Sequence, residues 1–269
     1  MTVDLAIELL KETELGQDNF LDFLSVSFSA TDYVGHRFGV NSREVQDTYL
    51  RLDKDLARLM EYLDQAIGPK NYLLVLTSDH GAGEVPSYLQ DQGAPGGYLD
   101  AKFIRNKVED KLDQNYGEAE WVDYFINYNF YFNRIALKEK QLSMKEVLNI
   151  LTPELLSIEG IADVYHSHRE VTNAHLQEMI SNGLLAAESG DLILLESPNY
   201  IIYSETGSTH GSPYRYDTHV PLLYYGAGIN KGETARAYNI IDIVPTLSVL
   251  LNLPLPDGMT GKPMLEVVE

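Results

Sequence analysis

Tyr72-Leu73-Leu74-Val75-Leu76-Thr77-Ser78-Asp79-His80-Gly81 is a nearly unbroken apolar run that ends in a carboxylate, an imidazole and a glycine. A run of this kind predicts a strand covered on both faces, as in a parallel sheet. Upstream, Asn41 and Ser42 are placed to cap a helix that runs to about Ile67. Its apolar positions, Val45, Tyr49, Leu52, Leu56, Leu59, Leu63 and Ile67, follow steps of four and three and make one stripe. Gly68-Pro69 ends it. Leu21 to Ser29 reads as an earlier strand. Strand, helix and strand over ~55 residues make a right-handed crossover unit, and ligands gather at the carboxyl ends of such strands.

Both predicted strand ends carry the same chemistry. Thr31-Asp32-Tyr33-Val34-Gly35-His36 follows the first, and Thr77-Ser78-Asp79-His80-Gly81 follows the second. Aspartate and histidine are zinc ligands at ~2.0–2.2 Å. Two such pairs look like half-sites of a two-metal hydrolase. The spacing of Asp32 and His36 fits one helical turn or a strand end plus a tight turn, and Gly35 and Gly39 favour the turn. The plainer alternative is a capping aspartate with a backbone-satisfied histidine, and a strand-to-loop turn at Asp79-His80. Adjacent residues at a strand end point apart, so Asp79 and His80 share an ion only if the chain bends at Gly81. Ser208-Thr209-His210-Gly211-Ser212-Pro213 and Asp217-Thr218-His219-Val220 add two histidines just before another strand. Three clusters at strand ends favour a metal site over coincidence. His166, His168 and His175 lack a matching acid-rich turn and read as surface residues at a domain edge.

Residues 98–190 differ in character and read as an α+β insertion or cap between a core segment, 1–97, with two metal motifs, and a core return, 191–269, with the third. Trp121 to Phe132 is strand-like and aromatic, and helices are expected from Ser143 to Leu151 and from Asn173 to Asn182. Asp191–Leu195 and Tyr200–Tyr203 look like a hairpin, Val220–Gly226 a strand, and Ile240 to Leu251 a closing helix. Tyr124, Tyr128 and Tyr131 fit packing better than a substrate cleft.

The 40 acidic against 20 basic residues give a net charge of −20, which argues against nucleic acid as a broad-surface ligand. Without cysteine there is neither a thiolate metal site nor a cysteine nucleophile. No stretch approaches the ~20 apolar residues of a membrane span. Met1 to Ala6 lacks the basic start and apolar core of a signal peptide. Val3 to Leu10 instead reads as a mid-domain helix, a hint of truncation.

In these motifs the sequence resembles the alkaline phosphatase superfamily, nearest to bacterial alkaline phosphatases of the nucleotide pyrophosphatase/phosphodiesterase-like branch. Ser29 to His36 with Phe38-Gly39 looks like the first zinc motif, Thr77 to Gly81 the second, and Thr209 to Tyr214 with Asp217 to Pro221 the last. Asp242 to Leu247, Gly258 and Gly261-Lys262-Pro263 match the closing helix and tail. The resemblance implies an α/β, partial alkaline-phosphatase-like sandwich: a mostly parallel sheet flanked by helices, with the α+β insertion. It implies one zinc held by Asp32, His36 and His210, with His219 the second choice. It implies another held by Asp79 and His80 together with an aspartate and a nucleophile from elsewhere. The complete enzyme would carry two zinc ions, and this chain one or two, partly occupied.

The implied activity is hydrolysis of phosphate monoesters in a periplasmic or secreted enzyme. The alternatives are a phosphodiesterase or nucleotide pyrophosphatase, or a non-catalytic zinc-binding remnant that needs a second polypeptide. No nucleophile turn precedes residue 20. The chain is therefore expected to be a C-terminal half, inactive alone, that dimerises or pairs with a complementing N-terminal half.

Overall fold

The computed structural model describes residues 1–169, 171, 173–185, 188–203 and 207–268. Helices α1 (Thr2–Glu12), α2 (Ala30–Phe38) and α3 (Arg43–Ala66) precede strand β1 (Leu73–Thr77). Then come α4 (Pro86–Asp91), β2 (Gly97–Tyr98), α5 (Ala101–Tyr116), β3 (Val122–Ile126) and β4 (Asn129–Phe132). Next are α6 (Arg134–Glu139), α7 (Met144–Leu156), β5 (Ile161–His166), α8 (Ala174–Gly183) and β6 (Leu192–Glu196). The last are β7 (Tyr200–Ile201), α9 (Arg215–Thr218), β8 (Leu222–Gly226), a 3-10 turn at Ile240–Asp242, α10 (Ile243–Leu250) and α11 (Leu265–Val268). The fold is α/β. Contacts divide it into two compact units, one of Met1–Phe28, Tyr49–Asp79 and the chain from Val220, the other of Ser29–Thr48 and His80–His219.

In the first unit, α1 buries Val3, Ala6 and Leu10 against Leu59, and Leu24, Val26 and Phe28 pack on the same cluster. These last three alternate, which is why Leu21 to Ser29 reads as a strand. The segment is extended but forms no ladder among the described residues. Alternation reports which side is buried, and only a partner strand makes a ladder. β1 pairs antiparallel with β8, from Leu73 opposite Gly226 to Thr77 opposite Leu222. The mostly parallel sheet is therefore corrected: among the described residues only β2 and β7 run parallel. β1 is half-buried along its whole length, so its apolar run fixed neither full coverage nor direction. The closing helix is pinned to the tail through buried Thr246, whose hydroxyl donates to the Asp242 carbonyl (2.6 Å) and accepts the Met264 N–H (2.9 Å).

The second unit holds an antiparallel sheet in the order β3-β4-β6-β5. Its core includes Trp121, Phe130, Phe132, Leu148, Leu151 and Leu192. Ser143 starts α7 with a capping box to Glu146, and Asn173 caps α8. Asn127 and Tyr128, at φ of 48° and 61°, make the two-residue left-handed turn that matches the twist of the β3–β4 hairpin. The expected hairpin of Asp191–Leu195 with Tyr200–Tyr203 does not form. β6 pairs with β4 and β5, while β7 lies beside β2. Pro198 and Asn199, the latter at φ 64°, turn the chain out of the ladder between them.

Candidate metal centre

α2 carries Asp32 and His36 one helical turn apart, so both side chains leave the same face. The helix, not the tight turn that the glycines favoured, sets this pair. Gly39 ends the helix at φ 82° and donates its N–H to the Gly35 carbonyl at 2.8 Å. His80 sits just beyond the residues that follow β1, and His210 on the loop before α9.

These residues converge on one atom. Asp32 Oδ1 lies 3.3 Å from His36 Nε2, 3.5 Å from His210 Nε2 and 4.0 Å from His80 Nε2. The ligand atoms of Asp32, His80 and His210 all fall within 4.8 Å of one another, and all three residues are half-buried. The rings of His80 and His210 stack with centroids 3.3 Å apart.

The orientation of two imidazoles follows from their partners. His36 Nδ1 is 2.8 Å from the Ser208 carbonyl oxygen, and His80 Nδ1 is 2.8 Å from the Gly81 carbonyl oxygen. A carbonyl only accepts, so both Nδ1 atoms carry a proton and both Nε2 atoms are turned toward Asp32. Burial first, and then the neighbouring His80, pushes the His210 imidazole below its ordinary pKa and favours its neutral form. Imidazoles anchored through Nδ1, with Nε2 turned toward a carboxylate, are a donor set that fits a divalent metal.

Ser208 organises the site from behind, a role that its sequence position beside Thr209-His210 did not reveal. It is buried; its hydroxyl donates to the Gly83 carbonyl at 2.6 Å, and its N–H donates to the His36 carbonyl at 3.2 Å. The Tyr203 ring stacks on His36 with centroids 5.6 Å apart. Aromatic stacking on a histidine has no sequence signature.

The structure brings Asp32, His36, His80 and His210 together. Asp79 belongs to the first unit, with Oδ1 3.4 Å from the Ser78 hydroxyl. His219 is exposed at the end of α9 and lies outside the cluster formed with Asp32. His166 is buried, with Nδ1 accepting the His168 N–H and Nε2 3.2 Å from the Thr152 hydroxyl. His175 is exposed on α8.

Residues 3–220 match the family described as type I phosphodiesterase / nucleotide pyrophosphatase. The calcium-transporting ATPase of Myroides odoratus is 37% identical over 276 residues, covering 100% of this chain and 50% of that protein. Alkaline phosphatase PafA of Elizabethkingia meningoseptica is 37% identical over 273 residues, again covering 100% of this chain and 50% of the relative. The crystal structure of wild-type PafA superposes with a TM-score of 0.93 at 35% identity, covering 100% of this chain and 52% of the other. The chain thus spans about half the length of the curated relatives it matches. No helix among the described residues is long and apolar enough to cross a membrane. With a metal-type donor cluster, a matching family and an alkaline-phosphatase-like backbone in hand, the chain belongs to the type I phosphodiesterase / nucleotide pyrophosphatase family.

Proposed function

We propose that this chain is the metal-ligating part of a two-zinc phosphomonoesterase of the alkaline phosphatase type. The observation that carries the reading is the convergence of three imidazole Nε2 atoms on Asp32 Oδ1. Imidazole with carboxylate suits zinc, whereas calcium takes an all-oxygen shell. The name of the Myroides relative therefore does not guide the assignment. A zinc ion held by Asp32, His36 and His210 would supply Lewis-acid charge to a phosphate ester. His80 lies within reach of the same carboxylate and can join that set. The chain's own part is to hold these imidazoles oriented, through the Ser208 and Gly81 carbonyls.

In this reading the nucleophile comes from outside these 269 residues. It is supplied by a complementing polypeptide, in an exported enzyme. A phosphodiesterase is the second reading, favoured by the description of the matching family. The test is zinc titration of the purified chain, followed by turnover of p-nitrophenyl phosphate and of its diester analogue. Zinc should bind, with little or no turnover by the chain alone. Failure to bind zinc would remove the metal assignment, and chelator-sensitive turnover by the chain alone would show that the nucleophile is present.

A further inference from the structure

Asp217 is buried in α9 and is bonded in two directions. Its carboxylate Oδ2 accepts the Ser212 N–H at 2.8 Å, which closes the loop just after His210. Its backbone carbonyl accepts the Gly81 N–H at 2.7 Å, and the Gly81 carbonyl accepts the Nδ1 proton of His80 at 2.8 Å. The backbone approaches closely here, since a Cβ on Gly81 would overlap the Tyr216 carbonyl oxygen. One residue therefore holds the backbone beside both stacked imidazoles.

The other carboxylate oxygen, Oδ1, is buried with no hydrogen-bond partner among the described residues. Folding stability does not favour that arrangement, since a desolvated and half-satisfied carboxylate is a penalty. An asparagine would keep the bond to Ser212 without the charge. What the side chain contributes is the placement of an acceptor.

We propose that Asp217 is a positioning residue for the metal centre, fixing the His210 loop through its carboxylate and His80 through its carbonyl and Gly81. This rests on the metal reading above. It extends the site to a residue that meets neither metal nor substrate. Partners behind metal-ligating histidines typically govern affinity by about 10- to 100-fold.

The experiment is calorimetric zinc titration of the purified chain and its variants, each checked by thermal unfolding. Asp217→Asn keeps the acceptor in place and should bind zinc within about threefold of the parent. Asp217→Glu keeps the charge but moves the acceptor by one methylene, and should bind about tenfold or more weakly. Asp217→Ala removes the acceptor without adding volume and should show the same loss, so it serves where the glutamate variant does not fold. Parental affinity in the glutamate and alanine variants would overturn the proposal. So would an asparagine variant as weak as they are. Asp32→Ala is the separate control: unchanged zinc binding there would sink the metal reading itself, and this inference with it.

Discussion

His36 donates its Nδ1 proton to the carbonyl oxygen of Ser208, 2.8 Å away and 172 residues along the chain. The acceptor belongs to the backbone, so the orientation of the ring does not depend on the Ser208 side chain. The hydroxyl has a different task, donating to the Gly83 carbonyl in a buried setting.

The two roles separate by mutation. Ser208→Ala should destabilise the chain by about 1–2 kcal/mol, because it strands a buried carbonyl. It should leave zinc affinity nearly unchanged. His36→Ala should weaken zinc binding at least tenfold with a smaller effect on stability. Chemical denaturation and zinc titration of both variants check this, and the reverse pattern would contradict the geometry.

Glu196, buried at the end of β6, should make stability depend on pH. Burial, opposed by its own backbone N–H and reinforced by the charge of Asp217, raises its carboxyl from 4.5 to about 7. With the folded value above the unfolded one, this group's contribution is fully present below pH 4.5 and is lost as pH rises to about 7. The loss is on the order of 3 kcal/mol, complete above that range. Glu196→Gln should remove it. The variant should therefore match the parent near pH 4 and exceed it at pH 8, as read from urea midpoints at the two pH values. Equal midpoints at pH 8 would refute the assignment.

These predictions rest on residues of very different legibility. The run of α3 was visible in its stripe, and its start in Ser42, whose hydroxyl accepts the Val45 N–H. The aromatic tract Trp121 to Phe132 was visible as strand-like, but the turn at Asn127 and Tyr128 that splits it into β3 and β4 was not. Asp32, His36, His80 and His210 were visible because carboxylate and imidazole recur beside apolar runs. The ladder partner of β1 was not, since Leu73 pairs with Gly226 and no local pattern encodes a pairing so distant. α5 went unread, although Ile104, Val108 and Leu112 recur every four residues behind an Asp100 cap. Ser208 bonds the distant Gly83 carbonyl, and the Asp217 carbonyl bonds the distant Gly81 N–H, contacts that leave no periodic trace.

Gly81 is a point where the fold admits no side chain. A Cβ would meet the Tyr216 carbonyl oxygen, which is backbone and cannot rotate away. Gly81→Ala should destabilise by about 1–3 kcal/mol. Because the Gly81 carbonyl holds the His80 ring, the same change should weaken zinc binding. Gly93 is the contrast, with open space where a Cβ would go but φ at 72°, so its alanine variant should cost stability through backbone strain and spare zinc affinity. Thermal melts and zinc titration of the two variants distinguish the effects, and loss of affinity in both would disprove a local role for Gly81.

Zinc itself should stabilise the chain, since a ligand that binds only the folded state adds RT ln(1 + [L]/Kd). At a free zinc concentration one hundred times Kd this is about 2.7 kcal/mol, enough to move a melting temperature by several degrees. Calcium should produce no comparable shift, because imidazole nitrogens are poor partners for a hard cation that prefers oxygen. A chelator should reverse the zinc effect, and Asp32→Ala should abolish it, as Asp32 Oδ1 is the atom the imidazoles surround. Differential scanning calorimetry with each metal makes the comparison direct. A larger shift with calcium would transfer the site to oxygen chemistry, and three imidazoles around one carboxylate oxygen would then have no physical reason to be there.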